Sequence, residues 1–395
     1  MKHIPLFKVF MSKTAGSIVQ KTLYSGYIGQ GIMVERFENM LREYLNVNNL
    51  VTTNSATSAL HLAIHLIKNN NNTEKQLKPD IQYKNNNNFV QIFDYDEVLA
   101  TPLTCVATNF PILANRLNIR WVDVSSSDLN ISLSDLRVKL SPKTKLIVLV
   151  HWGGYPVELN NLKSLLDETE INLGFRPVVI EDCAHAFGSI YDSKFIGGHG
   201  NYCVFSFQAI KQLTTSDGGL LIVPNDIQCK RARKLRWYGL DRDLCPELSR
   251  YERDIEEWGF KFHMNDVMAS IGIANLPNIS FILDQQRANA EYYNKELEKV
   301  GSISLLNNNQ NRKSSYFLYT VLVEKRKEFE KWMNSCGIEV RRPHKRNDLH
   351  SCMNKYRVEL PTLNSIYENI TCIPAGWWVG EQERDYIVSC IKKGW

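Results

Sequence analysis

Between residues 97 and 223, short apolar runs bounded by polar residues alternate with stretches of helical periodicity. A mostly parallel sheet covered by helices on both faces is the arrangement that buries both kinds of segment. The β-type runs fall at 97–101, 119–124, 146–151 and 177–180, and the helical stretches between them at 108–115, 134–140 and 159–167. Two further runs, 202–207 and 219–223, are spaced closely enough to predict a reversal of chain direction. Upstream, 34–44 places Phe37, Met40, Leu41 and Tyr44 at helical spacing, 50–53 is β-type, and 56–67 puts Leu60, Ala63, Ile64 and Ile67 on one helical face. The junction Thr53-Asn54-Ser55-Ala56-Thr57-Ser58 supplies several N-cap formers where that helix begins.

A chain of 395 residues is long enough for two or three packed units. Beyond Met264 the pattern changes to helices at 265–274 and 282–300, a strand at 316–323, and helices at 327–336 and 381–393. This predicts a large α/β/α domain over 1–250 and a smaller C-terminal α/β domain over 251–395. Two asparagine runs within 69–88 read as an exposed insertion that carries no chemistry. With 44% hydrophobic and 23% charged residues, the composition is that of a packed protein, which excludes a disordered, collagen-like or coiled-coil chain.

A net charge of +5 gives little reason to expect a nucleic-acid partner; the basic clusters at 230–236 and 341–346 read first as solvated faces, with contact to a small phosphate as the alternative. Nine cysteines, an odd number, show no C-x-x-C pair and no metal-like grouping with histidine, so neither a disulfide framework nor a metal centre is expected. No signal-type apolar stretch opens the chain, and no run of about 18 apolar residues follows. The expectation is a cytoplasmic protein without a membrane partner.

Three local features bear on chemistry. The hydroxyl-rich helix start at Thr57 and Ser58 offers backbone donors and a favourable dipole to an anion. The run Val178-Val179-Ile180-Glu181-Asp182 puts a carboxylate at the carboxyl end of a parallel strand, where α/β proteins bind their ligands and where a cationic ring nitrogen can be held. Asp182 is the better candidate, because Glu181 alternates to the other face. Lys211 follows the apolar strand ending Phe205-Ser206-Phe207, and a lysine among apolar groups titrates readily and can form a Schiff base. A lysine lying 29 residues beyond the carboxylate, with a phosphate turn upstream of both, is the combination that pyridoxal phosphate requires.

At this point the sequence resembles the DegT/DnrJ/EryC1/StrS family of sugar-nucleotide aminotransferases, which depend on pyridoxal phosphate (PLP). The resemblance rests on Ser25-Gly26-Tyr27-Ile28-Gly29-Gln30-Gly31, Asn54-Ser55-Ala56-Thr57-Ser58-Ala59-Leu60, Glu181-Asp182-Cys183-Ala184-His185-Ala186-Phe187-Gly188, and Phe205-Ser206-Phe207 leading to Lys211 and Gly218-Gly219. It implies a PLP-dependent transferase of fold type I and a homodimer with shared active sites. It also implies Lys211 as the Schiff-base lysine, Asp182 as partner of the pyridine nitrogen, and His185 beside the ring. Thr57, Ser58 and Ser206 would then be phosphate contacts.

Two positions depart from the family pattern. Thr104-Cys105 stands where many relatives stack an aromatic residue on the ring, and Lys261 replaces an asparagine, which implies a phosphate contact from the second subunit. The segments His344-Lys345-Arg346-Asn347-Asp348 and Ile373-Pro374-Ala375-Gly376-Trp377-Trp378 resemble the subgroup that aminates C4 of nucleotide-linked 4-keto-6-deoxy hexoses, as in viosamine or perosamine synthesis. In physical terms the basic segment suits a diphosphate, and the tryptophan pair suits either a ligand or the core. L-glutamate is the implied amino donor. Amination at C3, a dehydratase on the same scaffold and a non-enzymatic regulator using the basic clusters are the alternatives; the presence of Lys211 argues against the dehydratase, and measurable amino transfer separates an enzyme from the regulator.

Overall fold

The computed structural model describes residues 3–68, 93–94, 96–242, 252–309 and 311–395. The asparagine-rich insertion at 69–88 and the domain boundary expected at 250 and 251 lie outside the described residues. In chain order the first elements are α1 (Ala15–Leu23), α2 (Ile32–Leu45), β1 (Leu50–Thr53), α3 (Ala56–Lys68), β2 (Glu97–Ala100), α4 (Val106–Ala114) and β3 (Asn118–Trp121). They continue through α5 (Leu133–Lys139), β4 (Thr144–Val150), α6 (Leu159–Leu173), β5 (Val178–Asp182), β6 (Ile190–Tyr191), β7 (Lys194–Phe195), β8 (Tyr202–Ser206), β9 (Gly219–Ile222) and α7 (Asp226–Leu235).

Seven of these strands form one sheet in the order β1-β9-β8-β5-β4-β2-β3. β3, β2, β4, β5 and β8 run parallel, and β9 is antiparallel to both neighbours, which is the reversal expected from the close spacing of its two runs. Alternate strand residues feed two cores. Val98, Leu146, Val148, Ile180 and Val204 lie on one face with Leu60 and Ile64 of α3. Leu99, Ile147, Leu149, Val179 and Phe205 lie on the other with Phe37 and Leu41 of α2. The β-type run expected at 119–124 stops at Trp121 as a strand. Asp123 leaves the ladder to accept from the amides of Thr362 and Leu363 at 2.8 and 2.9 Å, so a helix capping need overrides the local β-pattern.

The C-terminal elements are α8 (Asp266–Asn275), α9 (Ile279–Leu297), β10 (Ile303–Leu305), β11 (Arg312–Lys313), β12 (Tyr319–Val323), α10 (Arg326–Ser335), α11 (Pro361–Ile366), β13 (Ile370–Ile373) and α12 (Glu381–Lys392). A second sheet, β10-β12-β13, carries its own core with Tyr293, Phe329, Ile338 and Ile387. β11 instead pairs with β6 beside the large sheet. The helical run from Asp266 to Leu297 is long and apolar enough, by length and composition, to cross a membrane. Its apolar residues have another use: Ala269, Ile273 and Leu283 are buried in the core of the large sheet, and Ala290, Tyr293 and Leu297 in that of the second. Gly272 on α8 sits where a Cβ would come within 2.5 Å of the Phe37 ring, so the crossing of α2 and α8 depends on its missing side chain.

Much of the basic surface read from the sequence is committed to structure. Buried Arg231 binds Glu257 through Nε at 2.7 Å and donates to the Leu66 carbonyl at 2.8 Å. Buried Arg236 pairs with Glu38 at 2.6 Å and donates to the Thr52 carbonyl at 2.8 Å. Removing either partner of the Arg236–Glu38 pair, both buried, strands a buried charge, at a cost of about 3–5 kcal/mol. Trp377 and Trp378 donate to the carbonyls of Lys8 and Pro5, at 3.2 and 2.9 Å, and so pin the N-terminal segment.

Candidate active site

β5 ends in two carboxylates that face opposite ways. Glu181 is fully buried on the second face, where one oxygen meets His151 Nε2 at 2.9 Å and the other accepts from Asn201 Nδ2 at 2.7 Å. His151 Nδ1 accepts from the Val157 amide at 3.0 Å, which leaves Nε2 to donate to Glu181. Asp182 takes the other face, at the carboxyl edge of the sheet. It is 4% exposed, and its oxygens accept from Thr108 Oγ1 at 2.6 Å and the Ala184 amide at 3.0 Å. Thr108, on the first turn of α4, is in turn 2.8 Å from Thr104 Oγ1. Burial raises the Asp182 pKa above the ordinary carboxylate value, against the opposing pull of Thr108, Ala184 and Lys211.

Lys211, in the loop between β8 and β9, lies close enough to feel the charge of this carboxylate. Its ammonium lies 4.0 Å from the centre of the Phe317 ring. Burial pushes its pKa down to about 8, with the charge of Asp182 acting the other way. His185 lies against the same ring, with centroids 4.7 Å apart. It is buried, its Nδ1 has no hydrogen-bond partner among the described residues, and burial together with Lys211 and His344 holds it well below the usual imidazole range. Asp182, Lys211 and His185 are thus brought together, as expected. Phe317, Trp152, Thr108 and the ring of His344 complete the cluster and were not singled out in the sequence as catalytic or ring contacts.

The hydroxyl-rich turn is a capped helix start at the same end of the sheet. Ser55 caps α3: its Oγ accepts from the Ser58 amide at 3.1 Å and lies 2.9 Å from Ser58 Oγ, while Thr57 is exposed at the helix start. β9 packs on this turn so tightly that a Cβ on Gly219 would sit 2.5 Å from the Ser55 backbone, which explains the need for glycine there. Ser206 pairs with Gly219 in the ladder and is therefore carried to the same edge. Lys261 does not join the Asp182–Lys211 cluster within the chain. Its carbonyl accepts from Asn54 Nδ2 at 3.2 Å, and its exposed ammonium lies 3.7 Å over the Trp237 ring. Arg346, expected in a basic segment suited to a diphosphate, is buried and bound to Asp348 at 2.7 Å.

These donors fit pyridoxal phosphate: a desolvated amine, a buried carboxylate for a ring cation, an unpartnered buried imidazole, and a hydroxyl-lined helix N-terminus for phosphate. The comparisons agree. Over all of both chains, the protein is 43% identical to AtS13 from Actinomadura melliaura, with a TM-score of 0.91. It is 37% identical to the sugar aminotransferase CalS13 from Micromonospora echinospora, with a TM-score of 0.90 over 99% of this chain and 100% of that one. It is also 27% identical, over 95% of each chain, to the UDP-4-amino-4,6-dideoxy-N-acetyl-beta-L-altrosamine transaminase of Campylobacter jejuni. The sequence profile of the DegT/DnrJ/EryC1/StrS aminotransferase family matches residues 11–392, and the chain belongs to that family of PLP-dependent sugar aminotransferases.

Proposed function

We propose that the protein moves the amino group of L-glutamate to C4 of a nucleotide-linked 4-keto-6-deoxy hexose, giving a 4-amino-4,6-dideoxy sugar of the viosamine or perosamine type. The carrying observation is near full-length similarity to the Campylobacter jejuni transaminase, whose name specifies a 4-amino-4,6-dideoxy sugar. When bound, PLP supplies an aldehyde that takes up the amino group and a ring that withdraws electrons from the reacting carbon. Lys211 is the amine that holds the cofactor and, once displaced by the donor, carries the proton from the donor's Cα. Asp182 would keep the ring nitrogen protonated, and His185 would lie beside the ring. Thr57, Ser58 and Ser206 hold the phosphate.

The test is a panel of UDP-, dTDP- and GDP-linked keto hexoses incubated with glutamate and PLP, with the position of the new amine read by NMR. A C4 amine is the expected product. A C3 amine overturns the positional assignment, and absence of any amino sugar overturns the substrate class.

Exposed Lys261 supports a homodimer with shared sites, in which its ammonium reaches the phosphate bound by the neighbouring subunit. Tyr27, Ile28 and Ile32, at 74%, 52% and 76% exposure, give the same chain apolar surface for a second copy. A mixed dimer of Lys211→Ala and Lys261→Ala subunits distinguishes the arrangements. Acting across the interface, both defects fall in one site and the other stays intact, so about half of the wild-type activity survives at limiting PLP. If Lys261 acts within its own chain, no intact site remains.

A further inference from the structure

After β12 and α10, the chain returns from the second sheet to the rim of the large one. Arg341 and Cys372 on β13 exchange backbone bonds at 3.1 and 3.4 Å. Six residues on, Asn347 locks onto the loop after β2. Its amide donates to the Pro102 carbonyl at 2.8 Å, its Nδ2 to the Thr104 carbonyl at 2.8 Å, and its Oδ1 accepts from Asn109 Nδ2 at 2.8 Å. Arg346 and Asp348 on either side are buried and paired. A side chain between such anchors gives up little freedom when it meets a ligand.

His344 is the side chain this clamp delivers. Its half-buried ring lies parallel to His185, with centroids 5.8 Å apart and planes 7° off, and edge-on to Trp152 at 6.2 Å. Burial and the charge of Lys211 bring its pKa down to about 4, so the ring is neutral at ordinary pH, with one nitrogen to donate and one to accept. Among the described residues neither nitrogen has a hydrogen-bond partner, and neither is sealed from solvent, so both are open to a ligand. A donor carboxylate calls for a cation. A neutral donor and acceptor suit the hydroxyl and carbonyl oxygens of a sugar.

We propose that His344 is a substrate-binding residue that hydrogen-bonds the hexose at or beside the carbon receiving the amine, and takes no part in binding the amino donor. This rests on the sugar-aminating reading above. Two variants test it: His344→Phe keeps a ring of similar shape without nitrogens, and His344→Gln restores a donor and an acceptor. In the PLP-loaded enzyme without glutamate, calorimetric titration with the nucleoside diphosphate 4-keto-6-deoxy hexose should show about tenfold weaker binding for His344→Phe, as for loss of one neutral hydrogen bond. His344→Gln should recover most of it. The parent nucleoside diphosphate should bind all three proteins equally, and glutamate should bleach the cofactor's visible band at the same rate in each.

Equal weakening toward the free nucleotide, a slower glutamate reaction, or unaltered hexose binding in His344→Phe overturns the assignment. A wild-type enzyme that aminates no keto sugar brings down the functional reading and this one with it. Wild-type amination alongside an unaltered His344→Phe brings down this one alone.

Discussion

Lys211→Ala is expected to abolish both turnover and the visible absorption of the PLP-loaded protein, with a loss of at least about a thousandfold in rate, because one amine both holds the cofactor and moves the proton. The geometry behind this is narrow. Lys211 is the amine placed opposite Asp182, over the Phe317 ring and beside His185. With its pKa brought down to about 8 by burial, the amine is mostly charged below that pH and mostly neutral above it. Only the neutral amine attacks an aldehyde, so uptake of PLP by cofactor-free protein should accelerate as pH rises through about 8, below the ordinary lysine range. Borohydride treatment gives a direct reading: wild-type protein should retain the cofactor covalently after denaturation, and Lys211→Ala should release it. A variant that still retains it removes Lys211 from the role.

The parts of this site that could be read in the sequence are those fixed by local pattern. A β-branched run ending in Glu181-Asp182 marks a parallel strand edge, and alternation alone assigns Asp182 to one face and Glu181 to the other, as found. Ser55 capping α3 also follows from local chemistry. What the sequence hid was set by long-range packing. Phe317 and His344 lie more than 100 residues beyond Lys211 in the chain and reach it only because the second sheet folds back on the first. The charge cluster at 230–236 was opaque for the same reason: nothing in the spacing of Arg231 or Arg236 reveals that Glu257 and Glu38 are folded against them. Helix α1, β10 and β13 were missed because short or weakly periodic segments take their structure from neighbours rather than from propensity. Thr108 had a weaker signal, a hydroxyl in the first turn of a helix expected to begin near the same sheet edge.

Asp182→Asn should lower the rate by at least about a hundredfold while leaving PLP bound, since a neutral amide cannot hold the proton on the ring nitrogen, whereas the phosphate turn and Lys211 remain. The surroundings of Asp182 make the charge costly to keep. Burial raises its pKa, and the 2.6 Å bond from Thr108 and the 3.0 Å bond from Ala184 work against that rise. Thr108→Val removes the shorter of these bonds at nearly constant volume. Hydrogen bonds to a charged group contribute about 1.5–3 kcal/mol, so this variant should lose roughly ten- to a hundredfold. The sign of the pH effect follows from the cause. Asp182 acts as the ionised carboxylate, Thr108 favours that form, and its loss pushes the carboxyl pKa further up, so the acidic limb of the pH–rate profile should move to higher pH. The basic limb should stay where it is, because Lys211 is untouched. Near-normal turnover in Asp182→Asn, or an acidic limb unmoved in Thr108→Val, would show that the ring nitrogen finds its partner elsewhere.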